Sequence, residues 1–335
     1  MTFTADGLLL VLIPRTANGA ATSPAVLVVA CSPSAGQDRQ LAAIPISGPS
    51  SSPSARSPGR LPRVTAGRSP HVPDSRASKC FVKSPNPWIG SAFVAGYSNV
   101  TKLNEAALLG PGPDNHPPAG LSDLHLLYNL FDNCNQTLYG YSTGELNYRG
   151  KPQLPPARST FLNFGFVPVT ATLTITLVPS DCRDVTGHLI GKVGLCISLR
   201  FPASSSRSFT TVTSEQLFRV YDVAVNGVLL DVGQHCQTTT PTSVVLKSNA
   251  AYTVANGGVL SGFVTIPPFT GCGVGENLDP LLTAAISGPQ NFVKLTQGPA
   301  CLKFLPTGQV NANCLVPPGP GHKYGVPKYV PTPVR

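Results

Sequence analysis

Ser142 stands at the centre of the pattern in this chain that most resembles a catalytic motif. Residues 140–144 read Gly-Tyr-Ser-Thr-Gly, which matches the G-x-S-x-G turn of serine hydrolases, and Asp231 and His235 follow in the required chain order. The pattern has meaning only where a strand runs into a helix and exposes the serine hydroxyl on a sharp turn. Here the serine is followed by three prolines, Pro152, Pro155 and Pro156, which oppose a helix. We therefore expect that Ser142 is not a nucleophile.

Acidic residues offer a second route to catalysis, because glycoside hydrolysis uses two carboxyl groups that flank the scissile bond. Glu145 with Asp132, and Glu276 with Asp279, are the pairs that the sequence offers. Their spacing is equally typical of turn and cap residues, and we expect those structural roles. No catalytic residue is therefore assigned, and Ser142, Glu145 and Glu276 are kept as the candidates.

Metal and cofactor sites are not predicted. The histidines between the first and last cysteines of the main cluster are scattered, without the i, i+4 pair of a helical metal site: His116, His125, His188 and His235. Residues 271–275 read Gly-Cys-Gly-Val-Gly, but the Gly-Lys-Ser/Thr ending of a phosphate loop is missing. We expect neither a metal nor a cofactor.

Four tyrosines crowd one stretch of the chain: Tyr128, Tyr139, Tyr141 and Tyr148. Aromatic rings of this kind can stack on sugars, which makes the four tyrosines our candidates for ligand binding and cell-wall polysaccharide a candidate partner. Half-buried strand tyrosines with a solvated hydroxyl are the alternative interpretation.

Eight of the nine cysteines lie between Cys80 and Cys314, and Cys31 stands alone upstream. An even number at such spacings indicates disulfides and an oxidising compartment, and the absence of any C-x-x-C pair opposes zinc. Eight cysteines allow 105 pairings, of which pairing between neighbours is the most economical. That choice gives four pairs: Cys80 with Cys134, Cys182 with Cys196, Cys236 with Cys272, and Cys301 with Cys314.

Strand periodicity dominates the stretch from residue 80 to 315. Thr170–Leu177 alternates threonine with apolar residues, which predicts a half-buried strand with a hydroxyl-bearing outer face. Asn226-Gly227 predicts a tight hairpin turn. Only Lys102–Leu109 and Ser122–Phe131 could be helical. The fold class predicted is therefore all-β: one antiparallel, β-sandwich-like domain with about four disulfides.

The two ends of the chain differ from this domain. Residues 1–79 hold eight Lys or Arg against three acidic residues, and the Pro- and Gly-rich residues 316–335 hold three against none, so the domain itself is nearly neutral although the whole chain carries +9. We expect both ends to be disordered, and the neutral domain disfavours nucleic-acid binding. No run of about twenty apolar residues predicts a membrane span.

The N-terminal segment lacks a well-formed signal peptide, although the cysteines indicate export. Residues 7–14 are apolar but short, and residues 27–31 read Leu-Val-Val-Ala-Cys, which resembles a bacterial lipobox and makes Cys31 a candidate for lipidation. The alternative is a misplaced start followed by an unfolded leader or linker. Both interpretations exclude residues 1–79 from the folded domain.

Separated segments of the domain resemble a group of secreted actinobacterial proteins to which no activity is attached. The segments begin CFVKSPNPWIGSAF at Cys80, TFLNFGFVPVTATLTITLVPSDCRD at Thr160 and IPPFTGCGVGENLDP at Ile266, and residues 219–231 add a fourth. The resemblance implies export and a β-rich, disulfide-containing fold. We therefore expect a secreted or envelope-associated, non-enzymatic structural or binding protein, with an extracellular hydrolase acting on polysaccharide or ester as the alternative.

Overall fold

The computed structural model divides the chain into two compact units, residues 1–70 and 71–335. It describes residues 80–163, 167–204, 208–248, 252–317 and 323–333, together with the backbone of four short strands before residue 44. These strands form two antiparallel pairs, β1 (Thr2–Thr4) with β4 (Gln40–Ala43) and β2 (Leu8–Leu12) with β3 (Leu27–Cys31). The rest of residues 1–79 lies outside the described part, so lipidation of Cys31 and the linker role of this segment stay predictions.

The second unit is all-β and antiparallel, which confirms the predicted fold class. Its strands are β5 (Phe81–Val100), β6 (Glu105–Leu109), β7 (Gly120–Asp132), β8 (Thr137–Asn147), β9 (Ala157–Asn163), β10 (Val167–Val178), β11 (Ser180–Arg183), β12 (Leu189–Val193), β13 (Leu195–Pro202), β14 (Phe209–Val225), β15 (Val228–Leu230), β16 (Gln237–Thr238), β17 (Thr242–Ser248), β18 (Gly258–Ile266), β19 (Phe269–Thr270), β20 (Gly288–Gln297), β21 (Cys301–Phe304), β22 (Cys314–Val316) and β23 (Val326–Pro327). The described helices are α1 (Asp279–Ile286) and the 3-10 turns Thr101–Leu103 and Pro113–Asn115.

Eight of these strands form one sheet that closes on itself. The order is β13-β8-β7-β5-β20-β18-β17-β14, and β14 pairs back onto β13 from Thr213 opposite Cys196 to Phe209 opposite Arg200. Alternate residues point into this closed sheet and form an apolar interior that includes Leu124, Ile197 and Val212. Because the sheet is closed, each of the eight strands has a hydrogen-bonded neighbour on both sides over at least part of its length.

The second half of β14 leaves the closed sheet and builds a smaller layer with β10 and β9. β10 pairs with β14 from Val169 opposite Val225 to Val178 opposite Glu215, and β9 pairs with the other side of β10. The inner face of this layer packs on α1 through a second core that includes Ile175, Phe218 and Leu282. The domain therefore has two neighbouring cores that share one long strand.

The Asn226-Gly227 hairpin is confirmed, because both residues have positive φ and connect β14 to β15. The predicted polar face of Thr170–Leu177 is wrong. The apolar residues do contact the core, but Thr172 and Thr174 are buried as well, and the register of β10 against β14 shifts between Thr170 and Thr172. This strand is covered on both faces, which alternation alone does not reveal.

The two helical predictions are wrong as well. Residues 122–131 lie within β7, which pairs with β5 on one side and β8 on the other. Residues 102–109 divide between the Thr101–Leu103 turn and β6. Both segments take up strand structure because cross-strand pairing outweighs their local helical signals.

All four disulfides join the cysteines predicted from adjacency. The Cys236–Cys272 disulfide lies in the second core. The other three each have a cysteine in or next to a strand of the closed sheet or in β21, which pairs with β5: Cys80–Cys134, Cys182–Cys196 and Cys301–Cys314. Cys182 belongs to β11 and Cys196 to β13, so this disulfide fixes the β11–β12 hairpin to the closed sheet.

Part of the C-terminal segment returns to the domain, which the sequence analysis did not foresee. β23 pairs with β22, Pro327 is fully buried, and the Lys328 amide donates a hydrogen bond of 2.7 Å to the Asn313 carbonyl. The Ser91 hydroxyl donates to the carbonyl oxygen of Gly325. Residues 318–322 and 334–335 of this segment lie outside the described part.

Removing a disulfide should lower the stability of the domain according to the length of the loop it closes. We expect Cys182→Ala/Cys196→Ala, which opens a separation of 14 residues, to lower the free energy of unfolding by about 3 kcal/mol. Cys236→Ala/Cys272→Ala opens 36 residues and should cost about 4 kcal/mol. Chemical denaturation measures both, with Cys31→Ala as the control. Unchanged stability in both double variants would contradict this account.

Candidate functional site

A polar cleft of about 330 Å³ lies on the outer face of β7 and β8. The β11–β12 hairpin forms one side and the returning C-terminal segment contributes the other. Its charged and hydrogen-bonding side chains are Asp123, His125, Thr143, Glu145, Lys192, Lys323 and Tyr324. Strand alternation places Asp123 and His125 on this face, because Leu124, which lies between them, points into the closed sheet.

The centre of the cleft is a pair of carboxyl groups. Asp123 of β7 lies directly opposite Glu145 of β8, and His125 lies opposite Thr143. Residues opposite each other on antiparallel strands have Cβ atoms roughly 5 Å apart, so the two carboxyl groups are close enough to interact. Two like charges at this spacing disfavour folding unless other groups compensate them.

The surroundings of three cleft residues shift their pKa values. Burial raises the pKa of the Asp123 carboxyl, the hydrogen bond of 2.8 Å from the Asn147 amide lowers it, and the charge of Glu145 raises it, with a net rise. Burial and the positive charge of Lys323 lower the pKa of His125. Burial and the two carboxylates raise the pKa of Tyr324.

Two lysines add positive charge to the cleft from outside the two strands. Lys192 comes from β12 and Lys323 from the C-terminal segment. The cleft thus combines hydrogen-bond acceptors, cationic donors and one phenol within a single open depression. This set suits a ligand rich in hydroxyl groups, and its acid pair is also the minimum that glycoside hydrolysis requires.

The four tyrosines predicted to bind a ligand divide into two buried and two half-buried residues. Tyr128 and Tyr141 are 6% and 4% exposed, and their ring centroids lie 5.4 Å apart beneath the β11–β12 hairpin. The Tyr128 hydroxyl donates a 2.9 Å hydrogen bond to Asp184, and the Tyr141 hydroxyl accepts one of 2.8 Å from the Val185 amide. Both rings are therefore closed to a stacking sugar, and they anchor the hairpin that carries Lys192.

The other two tyrosines are half-buried. Tyr139 packs against Tyr128 and Tyr141, and Tyr148 lies just beyond β8 with the Arg149 guanidinium 5.2 Å from its ring centroid. Burial of Tyr141 raises its pKa to about 12, so it stays protonated at neutral pH. Although burial raises the pKa of Asp184, hydrogen bonds from Thr186, Tyr128 and His188 hold it below its usual value.

Ser142 lies in the middle of β8, paired with Leu126 and Ile197, and is 6% exposed. Its side chain belongs to the inner side of the closed sheet, and β8 continues past it to Asn147 with no strand-to-helix turn. The motif glycines have a packing role, since a Cβ on Gly144 would lie 3.2 Å from Leu195. Ser142 does not share a site with His235 or Asp231 in any described pocket.

The remaining acidic candidates serve as turn residues. Asp132 lies at the β7–β8 turn, where its carboxylate accepts hydrogen bonds from Cys134 and Asn135, so the partner of Glu145 is Asp123 instead. Glu276 is exposed in the loop before α1. Asp279 accepts a 2.7 Å hydrogen bond from the Cys272 amide and fixes that loop.

Among the described residues, one group of possible metal ligands lies close together: Cys80, Asp132 and Cys134. Its two sulfur atoms already form a disulfide. It offers no thiolate, and we assign it no ion.

Comparison of the chain with protein-family models, with curated proteins and with solved structures finds no match. Among the residues that the structure describes, no helix has the length and apolar composition needed to cross a bilayer. The interpretation of the cleft therefore depends on its own chemistry.

Two substitutions should move the pKa of Asp123 in opposite directions. Glu145→Gln removes a neighbouring negative charge and should lower it, whereas Asn147→Ala removes a hydrogen bond to the carboxylate and should raise it. Carbon-13 NMR titration of the aspartate carboxyl signals measures both shifts. Shifts in the same direction for the two variants would contradict the geometry of the cleft.

Tyr141→Phe should loosen the hairpin without unfolding the domain. The Val185 amide loses its hydrogen-bond acceptor, and a bond of about 1 kcal/mol corresponds to roughly fivefold faster hydrogen exchange at that amide. NMR-detected exchange measures this rate. Tyr148→Phe is the control because Tyr148 lies outside the hairpin, and equal exchange at Val185 in all three proteins would refute the anchoring role.

Proposed function

We propose that this protein is a secreted or envelope-associated, non-enzymatic binding protein whose polar cleft binds a hydroxyl-rich ligand such as cell-wall polysaccharide. The observation that carries the proposal is the Asp123–Glu145 pair with Lys192 and Lys323 around it in one open cleft. Carboxylates accept hydrogen bonds from neighbouring sugar hydroxyls, and the lysines supply donors. The phenol of Tyr324 adds a ring and a hydroxyl at the edge of the cleft.

Four disulfides support an oxidising environment outside the cytoplasm. We also propose that the protein is located at the cell envelope and that it has the actinobacterial origin implied by the sequence resemblance. The anchored hairpin favours binding, because a ligand meets Lys192 on a segment already fixed by one disulfide and two tyrosine hydroxyls. Such preorganisation lowers the entropy lost on binding.

The second candidate is an extracellular hydrolase that acts on polysaccharide. It is favoured by the raised pKa of Asp123, which suits a general acid, beside a second carboxyl group, Glu145, that could act as nucleophile or base. Ester hydrolysis through Ser142 receives no such support, because that hydroxyl is directed into the closed sheet.

Binding of the full chain to isolated cell-wall polysaccharide tests the proposal. We expect Glu145→Gln to weaken binding about tenfold, since a hydrogen bond to a charged group contributes about 1.5 kcal/mol. The matched control is Glu276→Gln, an exposed carboxylate outside the cleft, which should bind as the unchanged protein does. Equilibrium sedimentation with the soluble polysaccharide measures both.

The two candidate functions give different results with the same proteins. Binding without release of reducing ends, weakened by Glu145→Gln, supports the binding protein. Release of reducing ends that disappears in Asp123→Asn supports the hydrolase. Equal binding by Glu145→Gln and Glu276→Gln would refute a role of the cleft.

A further inference from the structure

A second cavity, of about 140 Å³, lies in the second core between α1 and the β9–β10–β14 layer. β6 and the Thr101–Leu103 turn complete its wall. The lining is apolar over most of its surface, with Ile175, Phe218 and Leu282 among the buried contributors. It is chemically the opposite of the polar cleft, and the two share no lining residue.

The volume of this cavity is large compared with the voids that usually occur in a packed apolar core. A water molecule needs only about 10–15 Å³ of such volume, but it also needs two to four polar partners, which these walls do not supply. Apolar cavities of roughly 150 Å³ in proteins stay dry and bind benzene. A hydrocarbon group of about six carbons therefore fits this cavity.

One hydroxyl on the wall lacks a partner. The Oγ atom of Ser159, in β9 opposite Ala171, is buried and has no hydrogen bond to any described residue. A buried hydroxyl without a partner is unfavourable, and most such groups in proteins are hydrogen-bonded. A ligand with one hydrogen-bonding group would satisfy Ser159 while its hydrocarbon part fills the rest.

The cavity reaches the surface beside α1. Leu281 lines it and is 48% exposed, and Ala106 and Thr160 also line it and are exposed. Glu105 is the one charged residue among those that line the cavity, so an anionic ligand would meet a like charge. These features favour an uncharged ligand that enters past α1.

We propose that this cavity binds an uncharged amphiphile: a hydrocarbon group of about six carbons with one hydroxyl or carbonyl that hydrogen-bonds Ser159. The ligand is either a small free molecule or the ester end of a lipid acyl chain, since both present this chemistry. The proposal is independent of the polar cleft and of what binds there.

Calorimetric titration of the full chain with phenol and with benzene tests the inference. Both should bind, with phenol about fivefold tighter because of one hydrogen bond to Ser159. Ser159→Ala should remove the preference for phenol. Ser122→Ala is the matched control, because Ser122 also has a buried hydroxyl without a partner in the described residues but lines a different cavity.

Filling the cavity provides the second variant. Ala285→Leu should abolish binding of both compounds, because Ala285 lines the cavity, whereas Ala284→Leu on the exposed side of the same helix should leave it unchanged. Absence of phenol binding to the unchanged protein, or equal binding by Ala285→Leu and Ala284→Leu, would overturn the proposal.

Neutral phosphatidylcholine vesicles distinguish the two sources of the ligand. Co-sedimentation of the full chain that Ala285→Leu prevents and Ala284→Leu preserves supports a lipid acyl ester. Phenol binding without co-sedimentation supports a small free molecule. Co-sedimentation that is the same in both variants, without phenol binding, would overturn the proposal.

Discussion

The pairing of β13 with β14 is the interaction on which the rest of the domain depends. It closes eight strands into one sheet and so gives every strand residue an inner or an outer side. The inner side takes Leu124, Ile197 and Ser142, and the outer side takes Asp123 and Glu145. Because β14 continues past the closure to pair with β10, the same strand also forms a wall of the apolar cavity.

Disulfides and buried tyrosines turn an exposed hairpin into a fixed wall of the cleft. Cys182–Cys196 holds β11 of the β11–β12 hairpin, and the hydroxyls of Tyr128 and Tyr141 hold its turn through Asp184 and Val185. A short hairpin alone is marginally stable in water, so these contacts are what keep Lys192 in the cleft. The aromatic cluster thus contributes to the cleft by fixing this hairpin.

Sequence reasoning reached the fold class, the four disulfides and the Asn226-Gly227 turn, because each depends on local chemistry. It missed the partner of Glu145, since residues 122–131 carry a capping serine and were predicted as helix. In a helix Asp123 and His125 would not share a face, whereas in β7 they do, opposite Glu145 and Thr143. The contribution of Lys323 and Tyr324 was hidden too, because the Pro- and Gly-rich sequence around them has no periodicity from which contact could be inferred.

Lysine footprinting with and without a soluble cell-wall oligosaccharide tests the central claim most directly, because two lysines lie in the cleft and others lie exposed elsewhere. The account predicts that acetylation of Lys192 and Lys323 falls when the ligand is bound, while Lys151 and Lys247 react at the same rate as before. Unchanged reactivity at Lys192 and Lys323 under conditions where the oligosaccharide is bound would contradict it.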